Sequence, residues 1–340
     1  MSLASFRKTL QTEVVDFLNS FSPTQQLFLQ STIPSIVSQL LYYREEGKFL
    51  YPDVYIIDDE SALKSLPGYH SYKISEGEAN SEVAGKAIKK CAPLCERLWS
   101  IYLLITDKNQ IEYGLFSFNE TVSSVSRQDL ILSDKDPLAI SICILRDRLI
   151  TVKTKSARLD VLFDISDEES VETIENNQRS FFDNTIKGIT GVNTEPVTNY
   201  LRRLFTYVFR HGHGTLACVI KAGTPIESIF EDSIILPDPI EYSSDIVNES
   251  EFQTMIIEGD FELMSGMLQS DGVTVFTDDG RVVAYNVFVK LSDDKESSKK
   301  TETGGARSRA FRALCEMDAV VAAYMQSQDG KIKYHERERK

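Results

Sequence analysis

The chain has no apolar run approaching the roughly 18 residues that suggest a membrane span, and its first residues lack the cationic-then-apolar pattern of a secretion signal. Both absences predict a protein of the bacterial cytoplasm. Cysteine is scarce: Cys91, Cys95, Cys143, Cys218 and Cys315 are odd in number and scattered over 340 residues. That pattern excludes a fully paired disulfide framework and suits reduced thiols in an intracellular protein. Positive charge is short too. With 37 Lys and Arg against 51 Asp and Glu, the formal net charge of −14 argues against broad binding to duplex DNA or to an anionic membrane. Zinc spacing is also missing. Cys91 and Cys95 share a helical face, and His211 and His213 flank a glycine, but neither pair has a second pair at a recognised interval. A plain loop is therefore expected at His211 to Gly214.

What the chain does contain, 42% hydrophobic and 10% aromatic residues, is enough for ordinary cores in two or three domains. Leu3, Phe6, Leu10, Val14 and Phe17 step at helical intervals, and Leu27, Ile33, Ile36, Leu40 and Leu41 do so after Ser22-Pro23-Thr24. This predicts a helical hairpin over residues 1–48. Its apolar stripe is expected to pack on the same chain, with a partner or dimer contact as the alternative. Residues 49–165 change to short strands at Val54–Ile57, Ile101–Thr106, Tyr113–Phe118, Ile140–Leu145, Leu149–Lys153 and Leu159–Phe163, with a helix near Ser81–Lys90. They predict an α+β domain.

Residues 166–197 read as a helical linker, opened by the acidic cap Asp164 to Ser170 and carrying Val171, Ile174, Phe181, Phe182 and Ile186. Tyr200, Phe205, Tyr207 and Phe209 beside Arg202 and Arg203 fit core packing better than base stacking. Val83 to Ile105 repeats the helix-then-strand rhythm of Val197 to Ile220, without a second copy of the motifs described next. Residues 336–340 read as a frayed tail.

The motifs that carry chemistry are Ser270-Asp271-Gly272-Val273 and Thr303-Gly304-Gly305-Ala306-Arg307-Ser308-Arg309-Ala310-Phe311. Asp271 supplies a carboxylate for a divalent metal, Mg²⁺ or Mn²⁺. Gly272, Gly304 and Gly305 admit a ligand close to the backbone, and Arg307 and Arg309 match phosphate oxygens. Lys299, Lys300 and Arg312 add basic charge nearby. Around the motifs, the expected elements are a strand at Leu216–Ile220, a helix at Glu251–Leu268, strands Val273–Phe276 and Val282–Val289 turned at Asp279-Gly280, a helix Ser308–Glu316, and strands at 318–324 and 331–334.

This order of parts over residues 198–335 resembles the diadenylate cyclase domain, which joins two ATP into cyclic di-AMP in bacterial DNA-integrity-scanning proteins. Asp271-Gly272-Val273, Gly305 to Phe311, and Glu316 to Val321 stand where that family has Asp-Gly-Ala, Gly-Thr-Arg-His-Arg-Ala-Ala and Ser-Asp-Ala-Val-Val. The resemblance implies a mixed α/β sheet flanked by helices, an α+β fold for the chain as a whole, and a nucleotide site of Asp271, Gly272, Gly304, Gly305, Arg307, Ser308 and Arg309. In the family, two such sites meet across a dimer.

The departures point away from turnover. Ala306 replaces a threonine, Ser308 a histidine, and Met325-Gln326-Ser327-Gln328 a Ser-Glu-Glu segment, so a hydroxyl, an imidazole and a carboxylate are lost. Losing one oriented donor costs about 100-fold or more in rate, whereas binding tolerates such losses. The expectation is a sensor of a cyclic dinucleotide or adenine nucleotide, like the divergent domains proposed for bacterial signalling and antiphage systems. It would act through a homo-oligomer or an effector protein. The alternatives are an active, metal-dependent diadenylate cyclase, for which Asp271 would be catalytic, and a scaffold that keeps only the fold.

Overall fold

A computed structural model describes residues 3–42, 44–45, 48–95, 98–106, 110–118, 127–134, 137–146, 149–162, 171–191, 194–211, 214–230, 232–240, 251–289, 305–327 and 331–337. The chain divides into two compact units, Met1–Thr121 with Val125–Glu168, and Val122–Ser124 with Glu169–Lys340. Each is an α+β unit built on one mixed sheet. Among the described residues, no helix is long and apolar enough to cross a membrane.

The first unit runs α1 (Leu3–Asn19), α2 (Gln26–Tyr42), a small hairpin of β1 (Arg44–Glu45) and β2 (Lys48–Phe49), β3 (Val54–Ile57), α3 (Ser61–Lys64) and β4 (His70–Glu78). It continues with α4 (Ser81–Cys91), β5 (Ser100–Thr106), β6 (Gln110–Ser117), α5 (Arg127–Ile131), β7 (Ala139–Arg146), β8 (Leu149–Lys153) and β9 (Arg158–Leu162). Its sheet has the order β4-β6-β5-β3-β7-β8-β9. Central β3 is buried at every position, as expected for a strand covered on both faces. Leu10, Val14, Leu29, Ile33, Ile36 and Leu40 of the first two helices join the core under Ile101, Ile140 and Ile150. The predicted N-terminal hairpin therefore packs on its own chain. Asn80 caps α4, its Oδ1 accepting from the amides of Glu82 at 3.1 Å and Val83 at 2.9 Å. Pro93 then ends that helix in a 3-10 turn.

The second unit runs α6 (Val171–Ile186), α7 (Thr194–His211), β10 (Thr215–Ile220), a 3-10 turn (Ile226–Ser228), β11 (Asp232–Ile240), α8 (Glu251–Gln269), β12 (Val273–Thr277), β13 (Val282–Phe288), α9 (Ala306–Glu316), β14 (Val320–Gln326) and β15 (Ile332–Glu336). The sheet order is β11-β13-β12-β10-β14-β15. The segment read as a linker is thus helix α6 of this unit. Its Ile174, Phe181 and Phe182 are core residues beside Leu204, Phe205 and Tyr324. Apolar spacing in α7 places Val197, Tyr200, Leu201, Leu204, Phe205, Val208 and Phe209 inside.

The two units repeat one topology. In each, two helices precede a central strand, β3 or β10, that pairs parallel with β5 or β12 and antiparallel with β7 or β14. In each, an edge strand, β4 or β11, pairs antiparallel with β6 or β13, and a helix, α4 or α8, leads into β5 or β12. Helices α1, α2 and α4 share one core, as do α6, α7 and α8, while α9 packs on the opposite sheet face with Leu216, Cys218 and Val275. The matching rhythm noted in the sequence paired the wrong segments: 83–105 corresponds to α8 and β12, and 197–220 to α2 and β3.

All five cysteines are free thiols, four of them buried. Burial pushes the Cys91 thiol up to about 11, and burial raises those of Cys218 and Cys315 as well. Half-buried Cys315 is expected to react first and slowly with Ellman's reagent at neutral pH, and all five at once in urea. Rapid labelling of two or more thiols in the folded protein would contradict this packing.

Candidate functional site

The site forms where three segments meet at one end of the second sheet: the loop before β10, the turn before β12 and the first turn of α9. Asp271 and Gly272 follow α8. Gly272 has φ +86°, a left-handed conformation that favours glycine, and an added Cβ would lie 2.8 Å from the backbone carbon of Asn286. Asn286 itself sits at φ 51°, where the pairing of β12 with β13 shifts register. Its Nδ2 donates to the Asp271 carbonyl at 2.8 Å. The predicted hairpin at Asp279-Gly280 is present, with Gly280 at φ +85° and its amide donating to the Thr277 carbonyl at 3.0 Å. At the other end of β12 the Asp271 carboxylate is 87% exposed.

Helix α9 brings the arginines. Gly305 is its N-cap, with extended backbone and no side-chain cap, and open space surrounds the position of a Cβ. The first amides of a helix have no intrahelical acceptor, so this end presents donors and positive dipole to an anion. Arg307 is the second residue of the helix. Its Nη2 lies 3.4 Å from Asp271 Oδ1, with the guanidinium side chain only 25% exposed. Ser308 places Oγ 3.8 Å from the Met325 sulfur. Arg309 is exposed and Arg312 half-buried on the same helix.

The structure therefore brings Asp271 and Arg307 together, with Gly272 next to the first in the chain and Gly305 and Ser308 flanking the second. Gly304, Lys299 and Lys300 lie outside the described residues. Among the described residues there is no group of three or more His, Cys, Asp or Glu able to hold a metal ion. His211 stacks on Tyr207, ring centroids 4.4 Å apart, with Nδ1 2.9 Å from the Tyr207 carbonyl. Its partner His213 in the sequence pattern lies outside the described residues.

Gly214, which the sequence presents only as a loop residue, is the functional position that pattern reading misses. It is buried at φ +119°, and a Cβ there would fall 2.6 Å from Arg307 Nη1. The bare backbone thus makes the seat on which the guanidinium rests. Only its place immediately before an all-buried strand could have marked it. Gly191 offers a control, at φ +99° with nothing within 4 Å of a Cβ. Both Gly214→Ala and Gly191→Ala are expected to lose about 1 kcal/mol or more through backbone strain in urea unfolding. Only Gly214→Ala should move Arg307 and weaken phosphate binding, because a flexible side chain yields to the methyl. Equal binding by the two variants would remove Gly214 from the site.

Comparison with family models, with curated proteins and with solved structures finds no match for the chain.

Proposed function

We propose that the second unit binds an anionic nucleotide at Asp271, Gly272, Gly305, Arg307 and Ser308, and that the protein acts as a sensor of a cyclic dinucleotide or an adenine nucleotide. The observation that carries this reading is the half-buried Arg307 guanidinium, set beside the uncapped start of α9 and seated on Gly214. Two anion-binding features converge there in an otherwise acidic chain of net charge −14. The resemblance to diadenylate cyclase domains gives the ligand class. Asp271 is well exposed, so a phosphate exchanges for it on Arg307 at little cost. A Mg²⁺ or Mn²⁺ ion on Asp271 would take its remaining ligands from water and phosphate oxygens.

Sensing is favoured over cyclisation because Ala306, Ser308 and the Met325 to Ser327 segment supply neither imidazole nor carboxylate. An in-line attack of a 3′-hydroxyl on an α-phosphate needs such groups aligned.

The test is a thermal-shift panel with ATP, cyclic di-AMP and other cyclic dinucleotides, with and without Mg²⁺ or Mn²⁺, followed by chromatography of the same samples. A ligand that raises the melting temperature and emerges unchanged supports the sensor. Cyclic di-AMP and pyrophosphate formed from ATP would make the protein an enzyme, and indifference to every nucleotide would leave only a scaffold.

A further inference from the structure

The repeated topology directs attention to the place in the first unit that corresponds to the Asp271-Gly272 turn. Gly272 stands one residue before β12, and Trp99 stands one residue before β5. No phosphate chemistry gathers at this end of the first sheet among the described residues. The helix equivalent to α9 is α5, of five residues, and the residue before β5 is an indole instead of a glycine. In its place is an aromatic cluster. Trp99 lies 5.5 Å from Tyr72 and 6.0 Å from His70, centroid to centroid, and His70 meets Tyr72 edge-on at 4.7 Å.

This cluster is built to present a ring. Trp99 is partly buried against the core formed by α1, α2 and α4, which anchors it. Tyr72 leans on Trp99 and His70, yet its side chain stays 54% exposed. An aromatic face held by neighbours and open to solvent loses little conformational freedom on stacking another ring. Tyr72 is also on β4, which ends the strand order of the sheet, so among the described residues one side of its backbone has no strand partner there. Backbone donors and acceptors beside a stacking face suit a planar heterocycle with a hydrogen-bonding rim. Lys73, the next residue along β4, is held by Glu76 at 2.6 Å and Glu112 at 2.9 Å.

We propose that Tyr72, Trp99 and His70 form a second ligand site that stacks a purine base. The base can come from a free nucleoside or from a nucleotide. The net charge of −14 disfavours its delivery on a polyanionic strand.

Trp99 is the single tryptophan of the chain, so its fluorescence reports on this site alone. The full-length protein is titrated with adenosine, ATP and ribose 5-phosphate, exciting at the red edge of the indole band. Saturable quenching by adenosine and by ATP, and none by ribose 5-phosphate, is the expected result. Tyr72→Ala should weaken the adenosine response about 5-fold or more, while Tyr72→Phe retains it. Circular dichroism confirms that each variant is folded. Arg307→Ala should leave the adenosine response unchanged, which separates failure here from failure of the phosphate site. Absence of saturable quenching by adenosine, equal quenching by ribose 5-phosphate, or an unchanged response in folded Tyr72→Ala would overturn the proposal.

Discussion

Phe205→Ala is expected to destabilise the second unit by about 3–5 kcal/mol. Phe205 is 2% exposed and meets four rings, two on α6, one on β12 and one in the next turn of α7. Its centroid lies 5.6 Å from Phe181 and 6.3 Å from Phe182 on α6, 5.5 Å from Phe209, and 5.3 Å from Phe276 on β12. Truncation removes the apolar transfer energy and leaves a cavity that this ring-lined site cannot collapse around. Folded domains have roughly 5–15 kcal/mol in total, so the loss is a large share. Urea unfolding followed by circular dichroism should show the transition of this unit moving to lower denaturant with an unchanged slope. Phe288→Ala, at a side chain 51% exposed, should stay within about 0.5 kcal/mol. A loss below about 1 kcal/mol for Phe205→Ala would mean that α6 and α7 do not share this core.

The second large effect is on binding. Arg307→Ala should leave folding nearly intact, because its carboxylate neighbour Asp271 is exposed and rehydrates readily. Binding should fall about tenfold or more, the loss expected for a charge-assisted hydrogen bond. At ligand near 100 times its dissociation constant, the wild-type protein gains about 2.7 kcal/mol of stability, and the variant should lose most of that gain. Arg307→Lys should recover only part, since an ammonium keeps the charge and loses the planar fork. Thermal shift with and without ligand separates the two effects.

Much of the second unit could be read from the sequence because its elements carry strong local signals. The all-buried strands β10, β12 and β14 are rich in apolar and β-branched residues, α7 has a clean helical stripe, and Asp279-Gly280 is a strong turn pair. Two edge strands, β4 and β11, are opaque. In β4, Lys73, Ser75, Glu76 and Glu78 dilute the apolar alternation, and in β11, Pro237 and Pro239 read as loop although an edge tolerates proline.

The duplication was hidden for a different reason. Each unit contains the helix-then-strand rhythm twice, so periodicity alone cannot align 83–105 with its true counterpart, and only strand pairing does. At the site, motif chemistry points to Asp271, Gly272, Gly304, Gly305, Arg307, Ser308 and Arg309, of which Asp271 and Arg307 stand in contact. Gly214 contributes through backbone geometry set by a residue 93 positions away in the chain, a relation that no local pattern encodes.

Whether Arg307 and its surroundings hold a nucleotide phosphate is decided by isothermal titration calorimetry of ATP and cyclic di-AMP into the wild-type protein and Arg307→Ala. Saturable binding of at least one of them to the wild type is expected, weakened about tenfold or more in the variant. No binding of either, or equal binding by both proteins, would contradict it.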